Sequence, residues 1–216
     1  MKFNKTLLIA VILILAVAFS ACAAKNTPAA AGNEIAVDKD KKEVIIPAEV
    51  NGKYFTEGTR HGVVFKDGSN GEKSVLRGLV SEKDFYNALI EIGAKPGNNV
   101  KMEDMNADAT HGVSVDGSKL NVFVTWEGAG KEVPFDDIIK ATEERPIDIR
   151  FGGNLENAKA KNTGCILCLD SCAVGITSNA AYPTGTTQNK VVDFNGDETV
   201  LPKDGTKVSV IFRLAD

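Results

Sequence analysis

Three cysteines stand close together as Cys165-x2-Cys168-x3-Cys172, inside Thr163-Gly164-Cys165-Ile166-Leu167-Cys168-Leu169-Asp170-Ser171-Cys172-Ala173-Val174-Gly175. Thiolates are soft, basic donors, and three of them at this spacing are the makings of an iron-sulfur cluster, a zinc ion or a redox-active thiol pair. The bacterial ferredoxin run C-x2-C-x2-C-x3-C-P aligns its last three cysteines with these, with Ala173 in the place of the proline and Asn162 in the place of the first cysteine. An iron-sulfur cluster on Cys165, Cys168 and Cys172 therefore needs a non-cysteine ligand or an open iron. Asp170, His61 and His111 are the side chains that qualify. Three thiolates and one histidine would equally satisfy zinc, which prefers a closed tetrahedral set of sulfur and nitrogen.

Geometry constrains these readings. On an α-helix the three sulfurs share one face, but Cys165 and Cys172 lie about 10 Å apart along an axis that rises about 1.5 Å per residue. One zinc ion with bonds of about 2.3 Å cannot reach both. Metal binding by all three requires a loop or a broken turn, which the flanking Gly164 and Gly175 permit. Two alternatives stand beside it. Cysteine at i, i+3 and i+7 among Ile166, Leu167, Leu169 and Val174 is also the pattern of a buried helix face. In an oxidising compartment two of the thiols would instead close as a structural disulfide and leave the third free.

The compartment is indicated at the amino terminus. Lys2 and Lys5 precede an apolar run from Leu7 to Phe19, followed by Ser20, Ala21 and Cys22. This is the order of a secretory signal peptide over residues 1–21, too short to span a bilayer comfortably. Ser20-Ala21-Cys22 reads as a lipoprotein cleavage site, with Cys22 receiving the lipid; cleavage at Ala21-x-Ala23 for ordinary secretion is the alternative. Residues 22–42, rich in alanine with Pro28 and Gly32, read as a flexible tether, and residues 43–216 as one folded domain. The expected location is extracytoplasmic, with the membrane as partner through the lipid anchor. Loss of Lys2 and Lys5 from 25 basic residues leaves 23 against 29 acidic ones, net −6. That balance excludes a nucleic-acid partner and argues against direct adsorption to anionic lipid.

The elements that must position the cysteines are predominantly short. Val44 to Phe55 alternates around Pro47 and Asn51-Gly52 and reads as strand, turn, strand. Gly62 to Lys66 is a further strand. Ser81 caps a helix whose Phe85, Leu89 and Ile92 share a face until Gly93 stops it. Lys119 to Trp126 alternates Leu120, Val122, Val124 and Trp126 on one side. Asp136-Asp137 suits the start of a short helix, while Ile147 to Phe151, Val191 to Phe194 and Lys207 to Leu214 read as strands. The expected fold is α+β, a mostly antiparallel sheet with two or three helices. No G-x-S-x-G elbow, Walker loop, dinucleotide fingerprint or H-E-x-x-H motif is present, so no catalytic constellation supports an enzyme.

His61-Gly62-Val63-Val64, the helix end Ile92-Gly93-Ala94-Lys95-Pro96-Gly97-Asn98, the strand closing at Trp126, Phe151-Gly152-Gly153 and the segment Cys165 to Gly175 together resemble the YdjY-domain family of exported, often lipidated proteins labelled ferredoxin-like. The resemblance covers most of the chain after the tether and implies redox chemistry at the cysteines. The resulting expectation is a membrane-tethered lipoprotein with a cysteine-based metal or redox site, an electron-transfer accessory with a redox protein as partner. Its alternative is a non-catalytic envelope interaction domain with a disulfide or buried cysteines.

Overall fold

A computed structural model describes residues 32–216, residue 109 excepted. The expected signal peptide, Cys22 and the first part of the tether fall outside the described residues.

Strands β1 (Ala36–Asp38), β2 (Glu43–Val50), β3 (His61–Phe65) and β4 (Ser74–Gly78) precede helix α1 (Glu82–Glu91). Strands β5 (Lys119–Thr125), β6 (Val133–Pro134), β7 (Ile139–Ala141) and β8 (Ile149–Arg150) precede α2 (Leu155–Lys161). Strands β9 (Cys165–Cys168), β10 (Thr177–Asn179), β11 (Phe194–Gly196) and β12 (Lys207–Leu214) complete the chain. Eight of them close into a barrel in the order β2-β12-β5-β8-β10-β9-β3-β4, with β4 pairing back onto β2. The β3–β4 and β9–β10 seams are parallel and the remaining six antiparallel.

The expected α+β fold with an antiparallel sheet is therefore corrected to a predominantly β closed barrel with two α-helices, which is not a ferredoxin-like arrangement. The physical reason is that inward and outward alternation along a strand is the same in an open sheet and in a barrel. Closure is set by pairings between distant segments, β2 with β4 and β3 with β9, which leave no local mark. The segment at Asp136-Asp137 forms a 3-10 turn, Phe135–Ile138, rather than an α-helix. Strand pairing also begins at Ala36, inside the stretch read as tether.

Strand β2 runs unbroken through Pro47. One of its edges is covered by β12 over Glu43 to Glu49, and the other is shared, with β1 opposite residues 43–45 and β4 opposite residues 48–50. Pro47 accepts from the Leu79 amide on that shared edge. Its own nitrogen, which has no proton to donate, faces the same edge at the gap between β1 and β4, where no ladder bond is lost.

The core is as the alternation predicts in β5, where Leu120, Val122 and Val124 point inward, and in β12, where Val208, Val210 and Phe212 do the same. Helix α1 is capped by Ser81, whose side chain accepts from the Asp84 amide at 3.1 Å. It lays Phe85, Ala88 and Leu89 into this core, with the Phe85 ring 4.6 Å from that of Phe212.

Gly62 in β3 is close-packed: a Cβ there would stand 2.5 Å from Leu167 Cδ2 and 3.0 Å from Phe135 Cζ. Gly62→Ala is expected to destabilise the fold by about 1–3 kcal/mol through overpacking. Urea unfolding checks this, with the midpoint falling and the slope unchanged.

Candidate metal centre

Residues three apart on a regular strand face opposite sides of the sheet. Cys165 and Cys168 escape that rule because β9 is bulged. His61 stands opposite Cys168, Val63 opposite Leu167 and Val64 opposite Cys165, so Ile166 on β9 and Gly62 on β3 are extra residues in the ladder. As a result Ile166 and Leu167, although adjacent, both join the main core. Cys165 and Cys168 instead meet in a separate buried cluster with Val64 and Cys172, against which Met105 and Val174 pack. The cysteine motif is thus a bulged strand followed by a turn, rather than a helix face.

The Nδ1 of His61 lies 3.7 Å from the Cys165 sulfur. One ligand atom from each of His61, Cys165 and Cys168 falls within 4.8 Å of the others, the one such group among the described residues. Asn70 Nδ2 donates to the Cys165 sulfur at 3.8 Å. Met105 Sδ accepts from the Ala173 amide at 3.3 Å, which ties the segment Met102–Asn106 to the turn carrying Cys172.

The sulfurs divide a proton unequally. Hydrogen bonding from Cys168 draws the Cys165 thiol well below its ordinary value against the opposing effect of burial, and His61 adds to the lowering. Cys172 is lowered first by its bond to Cys168, with Arg60 assisting. Cys168, whose one proton is shared between Cys165 and Cys172, is pushed well above the ordinary thiol value by that sharing and by its burial. Burial works against the charge on Arg60, but Asp170, Cys172 and Cys168 outweigh it and raise this guanidinium above its ordinary value. Arg60 donates through Nε and Nη2 to Asp170 Oδ1 at 3.0 and 2.7 Å. Asp170 is fully buried, and its other oxygen accepts from Thr187 Oγ1 at 2.6 Å.

The donor set fits one thiophilic ion. Tetrahedral bonds of about 2.3 Å place two sulfurs roughly 3.8 Å apart. A mutual separation of at most 4.8 Å is thus within a small closure of that geometry. Two thiolates and a neutral imidazole also balance a divalent charge, which a buried site requires. An orphaned polar atom borders the site: Ser178 Oγ is buried without a hydrogen-bond partner. A Cβ on Gly175 would lie 2.7 Å from that oxygen and 2.9 Å from the Cys168 sulfur. The missing side chain at 175 leaves room for the hydroxyl to turn toward Cys168 and donate to it as a thiolate.

Of the residues singled out by sequence, Cys165, Cys168 and His61 are brought together. Cys172, 3% exposed, bonds to Cys168 but stands outside the converging group. Asp170 is committed to Arg60 and Thr187. His111 lies on an exposed loop with its Nδ1 2.8 Å from Asp108 Oδ1. Sequence reasoning missed Arg60, Asn70, Ser178 and Met105. The placement of Arg60 next to His61, with Asp170 inside the cysteine motif, is the one signal that pointed to any of them.

No solved structure matches the chain. It is 46% identical over 181 residues to the uncharacterized protein YdjY of Escherichia coli (strain K12), covering 83% of this chain and 78% of that protein. The YdjY domain matches residues 35–213, from just before β1 into β12, with both cysteine and histidine donors inside it. The chain belongs to the YdjY-domain family.

Proposed function

We propose that this protein is an extracytoplasmic, membrane-tethered lipoprotein that holds a single thiophilic metal ion on His61, Cys165 and Cys168 and acts as a redox or electron-transfer accessory to a protein partner. The observation that carries the metal reading is the convergence of the three donor atoms within 4.8 Å of one another. This favours one ion over an iron-sulfur cluster of the four-iron kind, whose thiolates sit on separate irons. Ser20-Ala21-Cys22 and the apolar run before it support the tether.

A bound ion of variable valence would supply the electron, and the chain does the rest. Arg60 supplies positive charge beside Cys168 and Cys172, Asn70 donates to Cys165, and Ser178 is placed to donate to Cys168. Val64, Met105 and Val174 pack against the sulfurs and keep water from them. The second reading, a disulfide-bearing interaction domain, draws on the contact of Cys168 with Cys165 and with Cys172.

The full chain purified without air is expected to carry about one metal ion per molecule by elemental analysis, without stoichiometric acid-labile sulfide. Stoichiometric sulfide would replace the single ion by a cluster. Absence of metal from protein made in metal-replete cells, with two of the three domain thiols oxidised on denaturing titration, would establish the disulfide instead.

The electrostatics predict a pH dependence. The proton retained by Cys168 must leave when an ion binds, because only the thiolate is a ligand. Apparent affinity is therefore expected to rise with pH, by about tenfold per unit while one proton is released. Competition with a metal-sensitive chelator between mildly acidic and mildly alkaline pH measures the slope, and a flat profile would show that Cys168 is already ionised or is not a ligand.

A further inference from the structure

Within the buried sulfur cluster, Cys172 is the cysteine that the three-donor site leaves unused. The turn that follows β9 pins it in place. The Ser171 amide donates to the Tyr182 carbonyl at 2.8 Å, and Asn154 Nδ2 donates to the Cys172 carbonyl at 3.0 Å. Asn157 Nδ2 donates to the Ala173 carbonyl at 3.0 Å, and the Ala173 amide is tied to Met105 Sδ. Backbone groups on Cys172 and on both its neighbours are therefore fixed, and the side chain is held in hydrogen-bonding contact with the Cys168 sulfur.

Three observations set Cys172 apart from the other two cysteines. Cys165 and Cys168 are wholly buried, whereas Cys172 keeps 3% of its surface accessible. Arg60 places positive charge beside Cys172 and Cys168, which favours anionic sulfur at both. An ion on His61, Cys165 and Cys168 engages the other two sulfurs, so Cys172 is the free nucleophile of the loaded chain. It also touches a ligand sulfur, and the pair needs only to close from contact to about 2.05 Å to become a disulfide. Such prior positioning gives an intramolecular bond a high effective concentration.

Resting on the metal reading above, we propose that Cys172 gates the ion by redox state: a small organic disulfide joins Cys168 to Cys172, and the ion is released. The Cys172 sulfur attacks the oxidant, whose S–S bond breaks, and the departing thiolate takes the Cys172 proton. The Cys168 thiolate then gives up the ion and attacks the Cys172 sulfur, which forms the Cys168–Cys172 disulfide. The second thiolate of the oxidant leaves and takes a proton from solvent. The two cysteines have then given two electrons to the oxidant. His61 and Cys165 remain, two donors of the original three, and the ion dissociates. A dithiol reductant returns both thiols and restores the site.

Zinc is the probe metal, because it has no redox chemistry of its own, and 2-hydroxyethyl disulfide is the oxidant. The full chain is reduced and loaded without air, and release is followed with a chromogenic chelator. The oxidant is expected to speed release at least about tenfold, and dithiothreitol to restore binding. N-Ethylmaleimide applied to the denatured, zinc-free product is expected to label Cys165, with the disulfide found between Cys168 and Cys172 by tandem mass spectrometry. In Cys172→Ser the oxidant is expected to change the release rate by less than about twofold. The labelling reads the pairing in the unaltered chain and does not depend on how the variant folds. A reduced chain that takes up no zinc would overturn the metal reading and this proposal together. Zinc taken up but released no faster with oxidant, label on Cys172 after release, or equal acceleration in Cys172→Ser would overturn the gate alone.

Discussion

Replacing Cys168 by serine is expected to lower metal affinity by about 100- to 1,000-fold, since a structural zinc site contributes roughly 10–16 kcal/mol through four ligands and one thiolate carries a proportionate share. Cys172→Ser is the informative companion. Its sulfur bonds to Cys168 but lies outside the group formed by His61, Cys165 and Cys168. It is therefore expected to act as an outer-layer partner whose loss weakens binding only about 10–100-fold. Chelator competition without oxygen separates the two, and the thermal unfolding of each metal-free variant shows that the barrel has survived. Equal losses would make Cys172 a full ligand and the three-donor site wrong.

Arg60→Met is expected to destabilise the protein by about 3–5 kcal/mol, because it strands the fully buried Asp170 carboxylate without its partner. The double variant Arg60→Met, Asp170→Asn removes the charge yet keeps an oxygen to accept from Thr187, and should regain more than half of that loss. Denaturant unfolding of the metal-free chain measures both. The same arginine raises a second expectation, since its charge is felt at Cys172 and Cys168. Arg60→Met should weaken metal binding even when the double variant restores stability. A double variant that recovers both properties together would mean that Arg60 serves the fold alone.

The individual elements near the site were largely legible in the chain. Ser81 starts α1, Gly93 lies just beyond its end, and the alternation of Leu120, Val122 and Val124 marks the inner face of β5. These signals are local: a side chain meets its own backbone within a few residues, or repeats with the period of the element. The cysteine motif was legible as chemistry and illegible as geometry. Spacing of three suggested a helix turn, whereas the chain makes it with a strand plus one bulged residue, Ile166, and both constructions align Cys165 with Cys168.

Closure of the sheet into a barrel had no local signature, which is why an open α+β sheet was the natural expectation. It depends on β4 returning to β2 and on β3 meeting β9 across about a hundred residues of chain. The choice of His61 over His111 as third donor follows from that second pairing, since β3 carries His61 to a position opposite Cys168 while His111 stays on an exposed loop. The sequence by itself determined which atoms were available: three soft sulfurs, two imidazoles and a carboxylate, with a predicted address outside the cytoplasm. Tertiary structure decided which of them meet, because a metal site needs donors within a few ångströms, and only long-range strand pairing brings residues 61 and 168 that close.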